Sequence, residues 1–231
     1  MIDAQEAPDA LIPGGRFGLA FRLRQPQPSA PTSLLVLLHG VGSSELSVSG
    51  LGAGIDPGTL VVLARGPLAL GPEQFAWFRV AFTQDGPKIV EAEAEQARQI
   101  LIGFIAKLQA HYRISAEKTV VAGFSQGGIM SASVALSQPE VLAGFGVLSG
   151  RILPELAPHI AIPARLQSLK SFVGHGDFDS KLPVVWAQRS DQWLGQLNVT
   201  GESHRYPIDH GVSAAMQADF CHWAQRILRA D

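Results

Sequence analysis

The sequence predicts an open, mostly parallel α/β sheet in a single domain. Three observations predict it: short apolar runs bounded by turn residues, segments of helical period between them, and no internal repeat or low-complexity block breaking the alternation. The apolar runs are Leu34 to Leu38, Leu60 to Leu63, Thr119 to Ala122, Phe145 to Leu148 and Leu169 to Val173. Strands this apolar must be covered on both faces, which is the condition of a parallel sheet flanked by helices. With 231 residues, 46% of them hydrophobic and only 16% charged, the chain is too apolar for disorder and suits one core. It has no unbroken apolar run long enough to cross a bilayer.

The elements follow in order. Residues 1–13 are expected to form a mobile tail of the 1–231 domain. Phe17 to Leu23 alternates Phe17, Leu19, Phe21 and Leu23 with Gly18, Ala20 and Arg22, an edge-strand pattern. The proline-rich stretch from Gln25 to Pro31 then breaks regular structure, because proline removes ladder donors. From about Lys88 to Ala110, Ala94, Ala97, Ile100, Leu101, Phe104, Ile105 and Leu108 share one helix face, and Glu91, Glu93 and Glu95 lie in the half where the dipole favours anions. Pro183 to Leu197 reads as a helix anchored by Val184, Trp186, Trp193 and Leu197. A strand is expected over Glu202 to Pro207. Ser213 can cap a last helix buried through Met216, Phe220, Trp223 and Ile227.

A formal net charge of -2, with no segment rich in Lys and Arg, argues against nucleic acid and against stable association with an anionic membrane. The single Cys221 excludes an intramolecular disulfide, and the first residues lack the basic and apolar regions of a signal peptide, so a cytoplasmic location is expected. Any homodimer would use exposed apolar surface that the sequence does not locate.

The chemistry is carried first by Val120-Val121-Ala122-Gly123-Phe124-Ser125-Gln126-Gly127-Gly128, a strand running into Gly-x-Ser-x-Gly and then into the helix-compatible Ile129 to Leu136. A serine on so tight a turn is held in a strained backbone conformation, and side chains two before and two after it would collide with neighbouring elements. Gly123 and Gly127 remove them. The turn lifts the Ser125 hydroxyl clear of the sheet and places helix N-terminal N–H groups where an oxyanion would form. The rival nucleophile, Cys221, lies in an apolar-periodic helix and reads as a packing residue.

In a strand-turn-helix serine site the order is Ser, then Asp or Glu, then His. After Val173 comes the glycine-rich turn Gly174-His175-Gly176-Asp177-Phe178-Asp179, which offers two carboxylates. After the next strand comes Asp209-His210-Gly211, with His210 at the same carboxyl edge as Ser125, placed to accept its proton. His111, His159, His204 and His222 read as surface or structural residues, and His39 and His175 as loop-orienting ones. His175-x-Asp177-x-Asp179 resembles a metal cluster, but no His-Glu-x-x-His pattern or second carboxylate group supports it, so neither a metal nor any other cofactor is expected. Leu38-His39-Gly40-Val41-Gly42-Ser43 ends a buried strand in glycine-rich backbone, as an oxyanion-hole loop requires, with Val41 and Gln126 as N–H donors.

These residues together resemble the small carboxylesterase, lysophospholipase and acyl-protein thioesterase group of α/β-hydrolases. The resemblance runs from residues 38–42 through Trp77-Phe78, Gly-Phe-Ser-Gln-Gly-Gly at 123–128, Leu148-Ser149-Gly150, and residues 175–183 to His210. It implies an α/β-hydrolase fold, with a mostly parallel central sheet, helices on both faces and no lid domain. It implies Asp179 as the acid, with Asp177 supporting the turn, Val41 and Gln126 as oxyanion donors, and Trp77 lining the acyl pocket. Arg79 stands where Trp-Phe-Asp is common in the family, and Ser180 where proline often follows the acid.

The reaction implied is two-step acyl transfer on small-molecule esters: Ser125 attacks, His210 accepts its proton, and water then releases the acyl group. A chain this short, without a long insertion, is expected to have an open, shallow cleft suited to short- or medium-chain acyl esters, with lysophospholipids or acyl thioesters as the alternative. Two rivals are a non-catalytic binding protein of the same fold and a lactone- or carbon–carbon-cleaving hydrolase, whose nucleophile is usually Cys.

Overall fold

The computed structural model describes residues 10–83 and 86–229; the expected tail falls largely on residues 1–9, outside this range. Ile12 already pairs with Phe21 through two backbone hydrogen bonds, so the ordered chain begins before Pro13. The expected strand over 17–23 is shortened to β1 (Phe21–Leu23). A turn closes at Gly14, which accepts from the Phe17 and Gly18 N–H groups, and Gly18 takes a φ of 97°. Phe17 and Leu19 remain buried, which accounts for the strand-like alternation.

The central sheet also contains β2 (Ser33–Leu38) and β3 (Thr59–Ala64). Two small hairpins that the sequence did not suggest follow: β4 (Leu68–Gly71) with β5 (Gln74–Ala76), and β6 (Val80–Thr83) with β7 (Gly86–Ile89). β7 takes up Lys88, so the long helix α1 runs Glu91–Tyr112. Next come β8 (Thr119–Phe124), α2 (Gln126–Ser137), β9 (Gly144–Leu148), the single-turn α3 (Pro163–Leu166), β10 (Lys170–Gly176), α4 (Val185–Gln196), β11 (Thr200–Tyr206) and α5 (Ala214–Arg229). Ser213 Oγ accepts from Met216 N–H, the cap expected for α5.

The seven strands lie in the order β1-β3-β2-β8-β9-β10-β11. β1 pairs antiparallel with β3, and every other pairing in the sheet is parallel. Alternation along the strands divides the core in two. Leu34, Val36 and Leu38 face the layer of α1, α2 and α4, packing with Phe104, Val134 and Leu194. Leu35 and Leu37 face the 3₁₀ segment Glu45–Gly52 and α5, packing with Leu51, Met216 and Phe220. All five residues from 34 to 38 are fully buried, and each such Leu or Val favours folding by about 1.5–3 kcal/mol over an exposed position. Because β2, β8, β10 and β11 run parallel, the loops that leave them open at one edge of the sheet. No lid domain is present among the described residues.

Candidate active site

Ser125 occupies the one-residue junction between β8 and α2, at φ 54° and ψ -116°, a conformation costly for a residue with a side chain. The turn is possible only because its neighbours are bare. A Cβ on Gly127 would lie 2.0 Å from the Leu38 carbonyl oxygen, and one on Gly123 would lie 2.4 Å from the Gly127 carbonyl carbon. The Ser125 N–H donates to Leu148 O at 2.8 Å, anchoring the junction on the end of β9.

The Ser125 hydroxyl lies 3.0 Å from His210 Nε2, and His210 Nδ1 lies 2.8 Å from Asp179 Oδ2. Both contacts are satisfied at once by the tautomer with a proton on Nδ1, which leaves Nε2 free to accept the serine proton. The imidazole packs against Phe124, with ring centroids 5.0 Å apart. Asp179 is buried, and its other oxygen accepts the N–H groups of Lys181 and Leu182 at 2.9 and 2.7 Å. Of the two carboxylates in the turn, Asp179 therefore reaches the imidazole, while Asp177 is exposed and its backbone N–H donates to Tyr206 O.

Val41 lies in the loop that leaves β2 and Gln126 is the first residue of α2, directly after Ser125; neither N–H has a hydrogen-bond partner among the described residues. The Gln126 side chain is buried. Its Oε1 accepts from Trp77 N–H at 2.8 Å and its Nε2 donates to Phe78 O at 2.7 Å. Trp77, expected at the acyl pocket, has a ring only 1% exposed, and its indole N–H donates to His39 O at 2.9 Å. Its contacts support the loop that carries Val41; it presents almost no surface to a ligand.

The loop-orienting histidines are both fully buried. His39 Nδ1–H donates to Gly40 O at 2.7 Å while Nε2 accepts from Gly66 N–H, and burial lowers its pKa. His175 Nε2–H donates to Leu182 O at 2.7 Å, and burial likewise lowers its pKa. Cys221 is buried in α5 with its thiol pKa pushed up by burial, the opposite of an activated nucleophile. Among the described residues no group of three or more His, Cys, Asp or Glu is arranged to hold a metal, and no helix is long and apolar enough to cross a membrane.

Several contributors escaped sequence reasoning. Glu45, four residues beyond Val41, is fully buried between Arg22 and Arg65, which donate to its carboxylate at 2.6–2.8 Å. Burial pushes its pKa up, but the bonds from Arg65 and Arg22 win and hold it at about 2. Arg65 also lies over the Phe75 ring at 4.3 Å, and Phe75 exchanges backbone hydrogen bonds with Gly42 and Ser43. Asp209 ties two loops together: its Oδ1 accepts from Ser180 N–H at 2.8 Å and from His210 N–H at 2.7 Å. A proline at 180 has no N–H to donate, so this clip depends on the departure seen in the sequence. Arg79, the other departure, donates to Glu93 on the surface.

Comparison with known proteins agrees with this architecture. The phospholipase/carboxylesterase family profile matches residues 25–223. The acyl-protein thioesterase 1 of Mycosarcoma maydis is 25% identical, over 87% of this chain and 93% of that protein. Among solved structures, esterase PE8 superposes with a TM-score of 0.76 at 28% identity, covering 88% of this chain and 96% of its own. A carboxylesterase from Mesorhizobium loti superposes with a TM-score of 0.78 at 18% identity, covering 93% and 97%, a likeness of fold. With an α/β-hydrolase sheet and a profile match across most of its length, the chain belongs to the phospholipase/carboxylesterase family of hydrolases.

Proposed function

We propose that the chain is a single-domain serine carboxylesterase acting on short- to medium-chain carboxylic esters. Ser125 is the nucleophile, His210 the general base and Asp179 the acid that orients it. The observation that carries the reading is the continuous relay from the Ser125 hydroxyl through His210 to Asp179, with contacts of 3.0 and 2.8 Å. As Ser125 Oγ attacks the ester carbonyl, His210 Nε2 takes its proton, and the buried Asp179 stabilises the imidazolium that forms. The carbonyl oxygen, now anionic, is held by the N–H groups of Val41 and Gln126. Loss of one such donor typically costs about 10²–10³ in rate. His210 then returns its proton to the leaving alcohol. In the second half-reaction it activates water to release the acyl group from Ser125.

Phe178, next to Asp179 in the chain and 69% exposed, offers apolar surface that an acyl group could use. A second reading, cleavage of acyl thioesters, is favoured by the name of the Mycosarcoma maydis relative and uses the same residues. The test is Ser125→Ala with a p-nitrophenyl ester. Turnover should fall by about 10⁵–10⁶-fold, as for unrelated serine hydrolases, and a fluorophosphonate probe should label Ser125 alone in the wild type. A variant that keeps a tenth of the activity, or labelling elsewhere, defeats the reading, while no hydrolysis and no labelling of the wild type favours a non-catalytic binding protein of this fold. A panel of acyl lengths with lysophospholipid and thioester controls ranks the substrates.

A further inference from the structure

Two arginines are buried among the described residues, Arg98 and Arg151. Arg98 is accounted for: it donates to Glu95 and to Ser137 Oγ. Arg151 is not. It is 4% exposed, no carboxylate among the described residues lies within ion-pair distance, and its Nε is enclosed without a hydrogen-bond partner. Its two outer nitrogens are also unbonded, but they reach accessible surface. The guanidinium lies over the Trp186 ring, 4.3 Å from the centroid, a cation–π contact that holds it in place. Burial disfavours its charge and only the exposed Glu155 acts through space to support it, yet a guanidinium stays protonated. A buried, preorganised cation with open donors is a receptor for an anion.

Its place in the fold says whose anion. Arg151 follows the end of β9, where Ser125 N–H is bonded to Leu148 O and the Ser149 hydroxyl donates to Gly211 O beside His210. The next residue, Ile152, donates its N–H to Ser190 Oγ on α4. Trp186 sits on the first turn of that helix, just after the Asp179 loop. Arg151 thus stands two residues after the Ser149 contact with the His210 loop, and its guanidinium stacks on the helix that follows the Asp179 loop.

We propose that Arg151 binds an oxyanion carried by the substrate itself, so that preferred substrates are esters bearing a carboxylate or phosphate away from the scissile bond. This rests on the esterase reading above. Two matched pairs separate the sources: mono-p-nitrophenyl adipate against p-nitrophenyl hexanoate for a carboxylate, and 1-butyrylglycerol 3-phosphate against monobutyrin for a phosphate. In one pair the wild-type kcat/KM should favour the anionic ester by about 10- to 100-fold, the worth of a hydrogen-bonded charge pair. Arg151→Gln should lower that ratio at least tenfold, and Arg151→Lys should keep part of it. A ratio near one in both pairs, or a ratio that Arg151→Gln leaves unchanged while Tm falls, overturns the assignment and leaves Arg151 as a packing partner of Trp186. If Arg151→Gln does not fold, adipate and glycerol 3-phosphate serve as inhibitors of the wild type on the neutral ester; competition by one supports the site, and none by either overturns it. Turnover of neutral esters without anion preference sinks only this inference. No turnover of any ester and no labelling of Ser125 would sink the esterase reading instead.

Discussion

Replacing Asp179 by Asn changes one atom and should nearly abolish turnover, for a reason the hydrogen bonds make explicit. Oδ1 accepts two backbone N–H groups, from Lys181 and Leu182 at 2.9 and 2.7 Å, while Oδ2 accepts His210 Nδ1–H at 2.8 Å. In asparagine the amide oxygen must stay at the first position, because an NH₂ there would face two buried donors at a cost of about 1–3 kcal/mol each. The NH₂ is then aimed at His210 Nδ1, which can meet it only by presenting a lone pair. The ring proton moves to Nε2, and the imidazole can no longer accept the proton of Ser125. In another serine hydrolase the equivalent tautomer error costs about 10⁴ in kcat, or about 5.5 kcal/mol of barrier. The assay is p-nitrophenyl butyrate hydrolysis at neutral pH, with thermal melting to show that the variant is folded. Asp177→Asn, at an exposed carboxylate, should stay within a few-fold of wild type. Asp179→Asn retaining more than a tenth of wild-type activity, or Asp177→Asn proving the more damaging, would refute the reasoning.

Gly127→Ala should yield little folded protein, since its Cβ would sit 2.0 Å from a backbone oxygen that β2 cannot move; a soluble variant with wild-type Tm would contradict the geometry. Glu45→Gln should destabilise the fold by about 3–5 kcal/mol at pH 7, because it leaves Arg22 and Arg65 without their shared carboxylate. Since the Glu45 pKa is about 2 in the folded protein against an ordinary value of 4.5, its contribution is complete above about pH 5 and is lost as pH falls toward 2. The gap between wild type and variant in urea melts should accordingly shrink by about 2 kcal/mol between pH 7 and pH 3. Asp209→Ala should lower kcat/KM by about tenfold with little change in Tm, since it frees the His210 loop from Ser180. Asp209→Asn, which keeps an accepting oxygen, should recover most of the activity; equal loss in both variants would argue against the clip.

Much of the fold was legible because it is written in local patterns. A run such as Leu34 to Leu38 is apolar on both faces, and only a strand covered on both sides satisfies it. Gly123-x-Ser125-x-Gly127 is equally local, since the two missing side chains and the positive φ of Ser125 belong to one turn. The hairpins of residues 68–89 were not legible. Their strands are three or four residues long and partly exposed, so they show no clear alternation. The contacts of Trp77 were not legible for a related reason: nothing local in the sequence says that its indole N–H bonds His39 O or that its backbone N–H bonds the Gln126 side chain.

The sequence by itself determined the strand and helix order, the junction that holds Ser125 and the loop that holds His210, because each depends on residues within one turn or one strand of one another. Tertiary structure decided that Asp179, the carboxylate the resemblance implies, is the one in contact with the imidazole, that Glu45 shares two arginines, that Asp209 joins the acid and base loops, and that Arg151 has no carboxylate within ion-pair distance among the described residues. These are facts about side chains about 20 to 35 positions apart, or about neighbours pointing opposite ways from one turn. Coulomb and hydrogen-bond energies act over a few ångströms of space, and the packing of the sheet sets those distances.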